Sequence, residues 1–128
     1  MRTGILTSLL LVGLVACSAP AASDQPGPES PNAVEAITIN LADFMIDPSE
    51  LVAAGPTVTL EVTSDGPTPH NLTVRNAAGD VLMATDDLIA GDTDTISGEL
   101  EPGDYTIFCS FAGHESLGMS GTLTVTDG

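Results

Sequence analysis

The chain has 128 residues and carries 18 acidic side chains against two basic ones, a formal charge of −16. Lysine is absent and the two cations are Arg2 and Arg75, so binding to a phosphate backbone, which needs clustered Lys and Arg, is excluded. The length allows one domain, and an apolar content of 42% with three Phe, one Tyr and no Trp describes a small aliphatic core rather than a disordered chain.

In chain order, MRTG followed by the apolar run Ile5–Ala16 reads as a secretory signal, and its 12 residues are too few to span a bilayer comfortably. The run ends in Leu14-Val15-Ala16-Cys17, which resembles the lipobox of bacterial lipoproteins. That resemblance implies a signal over residues 1–16 and a lipid anchor on Cys17. The other reading is an ordinary signal cleaved near Ala22, with Cys17 discarded. Loss of residues 1–16 removes Arg2 and no acid, leaving 18 acids against one arginine, or −17 by the same counting.

Residues 18–33, SAPAASDQPGPESPNA, hold four prolines and no large apolar side chain, so 17–33 reads as the lipidated cysteine and a linker. Extended at about 3.1 Å per residue, such a tether lets the following domain stand up to roughly 50 Å from a membrane.

From residue 34 to 128 the dominant signal is period-two alternation with Thr as the outward residue, which predicts β-strands. Ile37, Ile39 and Leu41 share one face, and Val58, Leu60 and Val62 share another opposite Thr57, Thr59, Glu61 and Thr63. Further strands are predicted at His70–Arg75, Val81–Ala84, Thr93–Leu100, Gly103–Ser110 and Thr122–Thr126. Turn chemistry separates them, including Gly55-Pro56, Asp65-Gly66-Pro67 and Glu101-Pro102-Gly103. Only Pro48–Leu51 and Asp86–Ala90 offer room for a helical turn. The expected fold is an all-β Greek-key sandwich of about seven or eight strands.

Cys109, His114 and Met119 fall in FCSFAGHESLGMSG with the spacing C-x4-H-x4-M, between one predicted strand and the last. The remaining histidine, His70, follows the turn Asp65–Pro69 and can reach the same end of an antiparallel sandwich. Taken singly, each residue has an ordinary explanation: Cys109 continues the apolar face of Tyr105 and Ile107, Met119 is a gap filler, and a lone histidine belongs to a loop or core. Together, two imidazoles, one thiolate and one thioether match the ligand set of a blue copper electron-transfer site.

HNLTV at 70–74 with YTIFCSFAGHESLGMSGTLTV at 105–125 resembles the cupredoxin family, over about residues 34–128, and its C-x4-H-x4-M spacing resembles the auracyanin-like members more than plastocyanins, whose Cys-to-His loop is shorter. The resemblance implies one type 1 copper ion, with His70, Cys109 and His114 as strong ligands and Met119 as a weak axial one. It makes Asn71 the residue that braces the two ligand-bearing loops, although Asn71-Leu72-Thr73 also matches a glycosylation sequon. Pro69 stands where azurins have a glycine, so four ligands are expected. His114 is the expected solvent-facing ligand, within an apolar docking patch drawn from Pro67, Pro69, Phe111, Ala112 and Leu117.

The implied role is a membrane-tethered, extracytoplasmic carrier of single electrons in a respiratory or photosynthetic chain. A copper-sequestering or copper-delivering lipoprotein is the alternative. An enzyme is not expected: both histidines belong to one site, and a Cys-His hydrolase would leave Met119 and Asn71 without a part. The acidic surface points to basic redox partners, such as c-type cytochromes or a membrane oxidase or reductase, and to no nucleic acid; a monomer is expected. Asp86, Asp87, Asp92, Asp94, Glu99, Glu101 and Asp104 are the acids placed to steer such a partner, unless the charge is a general coat.

Overall fold

Strand alternation translates directly into two packed sheets in the computed structural model, which describes residues 35–128. The first sheet has the order β2-β1-β4-β7, with β1 Ala36–Ala42, β2 Met45–Asp47, β4 Thr57–Ser64 and β7 Thr93–Glu99. The second has the order β3-β9-β8-β5-β6, with β3 Glu50–Ala54, β5 Thr73–Arg75, β6 Val81–Ala84, β8 Gly103–Phe108 and β9 Ser120–Thr126. Pairing is parallel for β1 with β4 and for β3 with β9, and antiparallel elsewhere.

The inward positions of β4, Val58, Leu60 and Val62, are buried together with Ile39 and Leu41 of β1. They meet Val74, Ile107, Leu123 and Val125 from the second sheet in one apolar core. Each fully buried aliphatic side chain of this kind contributes about 1.5–3 kcal/mol relative to exposure. Outward threonines pair across strands, as in Thr59 with Ser97 at 2.9 Å and Thr63 with Thr93 at 3.0 Å. This suits β-branched residues on a pleated surface.

Nine strands are present among the described residues, against about seven or eight expected, and neither segment with room for a helical turn forms one. At Pro48–Leu51 the chain enters β3, because Leu51 and Ala53 point into the core and the strand pairs with β9 from Glu50↔Thr122 to Ala54↔Thr126. At Asp86–Ala90 no helix forms: Leu88 is buried and bridges His70, each amide donating to the other's carbonyl at 2.7 and 2.9 Å, and Ala90 lies in the turn that follows. The strand predicted from His70 begins at Thr73, and His70 itself contributes only this isolated bridge. A 3-10 turn forms instead at Glu115–Leu117. The boundaries at 1–16 and 17–33, with Cys17, lie outside the described residues.

Strand register places four connections at one end of the sandwich. Leu41↔Ser64 ends the pairing of β1 with β4, Thr63↔Thr93 brings the start of β7 there, and Phe108↔Ser120 closes the β8–β9 hairpin. Thr73 pairs with both Ala84 and Phe108, which adds the start of β5 and the end of β6. The turn after β1 and the connections β4–β5, β6–β7 and β8–β9 therefore converge.

Candidate metal centre

Cys109 is the first residue past β8 and Met119 the last before β9, so the C-x4-H-x4-M segment is the hairpin connection itself. Its base is tied by the Cys109 amide donating to the Met119 carbonyl at 3.1 Å, and the Met119 amide donates to the His114 carbonyl at 3.0 Å. The 3-10 turn follows His114 and ends at Gly118, whose φ of 107° is the left-handed conformation that glycine adopts without a Cβ penalty. The spacing thus folds thiol, imidazole and thioether into one closed loop.

Ligand atoms of His70, Cys109 and His114 all lie within 4.8 Å of one another, the one such His/Cys/Asp/Glu group among the described residues. The Cys109 Sγ to His114 Nδ1 distance is 3.5 Å, and the two imidazole rings lie 5.2 Å apart. His70, Cys109 and Met119 are fully buried, whereas His114 is half-buried. Cys109 is a free thiol.

His70 Nε2 donates to Asp43 Oδ1 at 3.0 Å, leaving Nδ1 as a buried ring nitrogen with no hydrogen-bond partner. A buried polar atom without a partner is costly unless something binds it. Here the orphan belongs to the same cluster as a thiol and a second imidazole. Soft sulfur with imidazole nitrogen and no carboxylate suits copper rather than magnesium or calcium, so the residues present fit a type 1 copper ion.

Asn71 lies between the two ligand-bearing connections. Its Nδ2 donates to Ser110 Oγ at 2.9 Å and Asp87 Oδ1 at 3.1 Å, and its Oδ1 accepts the Ser110 amide at 2.8 Å. With these bonds made and the residue 9% exposed, its amide is already engaged within the fold.

Of the expected apolar patch, Pro67, Pro69, Ala112 and Leu117 are exposed, while Phe111 is half-buried against the core with its ring 5.7 Å from that of His114. Phe44, not anticipated from sequence, stands 5.3 Å from the His114 ring, edge to face, and is 45% exposed. Its φ of 59° is unusual for a bulky residue, so the backbone is strained where the ring reaches the imidazole.

Three further residues carried no local signal. Asp43 holds His70 and accepts the Thr68 hydroxyl at 2.6 Å; these bonds, that of Thr68 foremost, hold its carboxyl below the ordinary value of 3.8. Ser110 receives Asn71. Glu115, next to His114, forms a bidentate pair with Arg75, whose guanidinium also lies 4.2 Å over the Phe108 ring.

The expected steering acids divide between the two ends. Asp86, Asp87, Asp92 and Asp94 belong to the metal end, as do Asp43 and Asp65, whereas Glu99 pairs opposite Thr57 and Asp104 opposite Thr124 at the far end. Glu101, between them, precedes β8 at that far end. The seven acids therefore do not form one patch.

Two packed sheets carrying a buried Cys, two His and a buried Met at one end define the class of small type 1 copper proteins. The chain matches the cupredoxin-like domain family over residues 7–125 and belongs to the cupredoxin family. Among curated proteins none matches. Its fold is similar to dithionite-reduced auracyanin from the photosynthetic bacterium Roseiflexus castenholzii, with 22% identity, a TM-score of 0.64 and coverage of 71% of this chain and 96% of that one. Auracyanin B is also similar, at 21% identity, a TM-score of 0.64 and coverage of 71% and 88%. So is a purple cupredoxin from Nitrosopumilus maritimus, at 27% identity, a TM-score of 0.53 and coverage of 70% and 99%. Family and donor set together support a blue copper electron-transfer protein. No helix among the described residues is long and apolar enough to cross a membrane.

Proposed function

We propose that the protein is an exported, lipid-anchored copper protein that shuttles single electrons between redox partners. The observation that carries this reading is that a ring nitrogen of buried His70, a residue whose Nδ1 has no hydrogen-bond partner, clusters within 4.8 Å of the ligand atoms of Cys109 and His114. His70, Cys109 and His114 would hold the ion, with Met119 as the weak fourth ligand. Copper bound there supplies a one-electron couple.

The chain's own residues supply a fixed frame. Cys109 would bind the ion as its thiolate and both histidines as neutral imidazoles, so metal retention would weaken in acid. Asn71, Arg75 and the Cys109–Met119 backbone bond hold the ligand connections against the sheets, limiting rearrangement between oxidation states. Half-buried His114, flanked by the rings of Phe44 and Phe111, is the ligand that a docked partner can approach.

No catalytic role is proposed, because both histidines of the chain belong to this one site. The lipobox-like Leu14–Cys17 supports a Cys17 anchor, and the Pro-rich 18–33 segment supports a tether. The acids at the metal end support docking to a basic protein such as a c-type cytochrome.

Stopped-flow mixing of the copper-loaded protein with reduced and oxidised cytochrome c tests the role. Reversible one-electron exchange with copper retained is expected. Failure to cycle, with ready transfer of copper to a chelating acceptor, would instead establish the delivery role.

A further inference from the structure

Asp43 and His70 are 27 residues apart in sequence and meet because β1 and β4 run parallel. Leu41 pairs with Ser64, and the Asp65 amide donates to the Leu41 carbonyl at 2.8 Å, so the turn after β1 lies beside the connection leading to His70. Asp43 Oδ1 there accepts from both the Thr68 hydroxyl and His70 Nε2, at 2.6 and 3.0 Å.

Gly66 makes the contact possible. A Cβ at this position would lie 2.6 Å from His70 Nε2 and 2.8 Å from Asp43 Oδ1, closer than real Cβ atoms approach. Its φ is not in the left-handed range, so space rather than backbone conformation is what requires glycine here. Carboxylate, hydroxyl and missing side chain converge on one edge of a fully buried imidazole.

A neutral imidazole has one donor and one acceptor nitrogen. With a carboxylate on Nε2, the proton resides there and the lone pair is left on Nδ1, the nitrogen with no partner. We propose that Asp43 is a positioning residue of the metal centre: its carboxylate fixes the Nε2–H tautomer of His70 and presents an unprotonated Nδ1 to Cys109 and His114 before metal arrives, in space kept open by Gly66. A second consequence rests on the copper reading. A negative charge one imidazole away from the ion favours Cu(II) over Cu(I) and lowers the reduction potential.

The metal-free protein gives a readout that needs no copper. Long-range 1H–15N correlation of the imidazoles in the apo protein is expected to show His70 as the Nε2–H tautomer. Asp43→Ala and Gly66→Ala should each shift it toward a mixture, and Asp43→Ala should weaken Cu(II) binding about 10- to 100-fold. Asp43→Asn keeps an acceptor oxygen without the charge, so it should retain the tautomer and raise the potential. An Nδ1–H tautomer in the wild-type protein, or Asp43→Ala with tautomer and affinity unchanged, would overturn the proposal. Wild-type protein that holds the tautomer but takes up Cu(II) without a thiolate charge-transfer band would refute the copper reading and leave the tautomer assignment standing.

Discussion

Asn71 and Ser110 are joined through both ends of the Asn71 amide, which donates to the Ser110 hydroxyl at 2.9 Å and accepts the Ser110 backbone N–H at 2.8 Å. One side chain thereby closes the connection bearing His70 onto the residue after Cys109. Asn71→Ala would leave the Ser110 amide without its partner. A loss of about 1–3 kcal/mol in urea unfolding is expected, with faster copper release to a chelator. Unchanged stability and release would remove the bracing role.

Arg75 is the one cation among the described residues, and it is committed to the ligand loop through Glu115 and the Phe108 ring. Both partners of the ion pair are partly exposed, so water screens it; pair and cation–π contact together should contribute about 1 kcal/mol. Arg75→Met should lower the unfolding free energy from urea denaturation by that amount, and the difference from wild type should shrink in high salt. A salt-independent difference would assign the effect to packing instead.

Phe44 combines left-handed backbone with a ring exposed beside His114. Asn tolerates that backbone better, so Phe44→Asn should be as stable as wild type or more so. Its electron exchange with a partner should nevertheless slow, since the apolar rim of His114 is lost. Stopped-flow exchange rates measured alongside thermal unfolding check the two effects; slower exchange with falling stability would indicate a structural role alone.

The division of acids between the two ends gives a placement test. Reversing Asp86 and Asp87 at the metal end should slow association with a cationic cytochrome more than reversing Glu99 and Glu101 at the far end. The wild-type on-rate should fall between low and physiological ionic strength, as charge screening shortens. Equal effects at both ends would mean a general coat rather than a docking patch.

The core strands and the chemistry of the site were legible because both leave local patterns. Alternation in Val58–Val62 marks an inward face, and C-x4-H-x4-M is a spacing within one loop. β3 was missed although Leu51 and Ala53 alternate inward, because Ala is a weak strand signal and Pro48-Ser49-Glu50 resembles a helix start. Asp43, Phe44 and Ser110 left no trace, since their partners are set by strand register across the sandwich, above all by the parallel pairing of β1 with β4. The steering acids gather within residues 86–104 of the sequence but divide in space, because β7 carries the chain from the metal end to the far end.

The most direct measurement is a Cu(II) titration of the purified domain followed by visible absorption and EPR, with Cys109→Ser in parallel. Stoichiometric uptake of one copper, an intense thiolate-to-copper band and its complete loss in Cys109→Ser are predicted. A colourless complex, or the EPR spectrum of ordinary tetragonal copper, would contradict the assignment of this site as a type 1 centre.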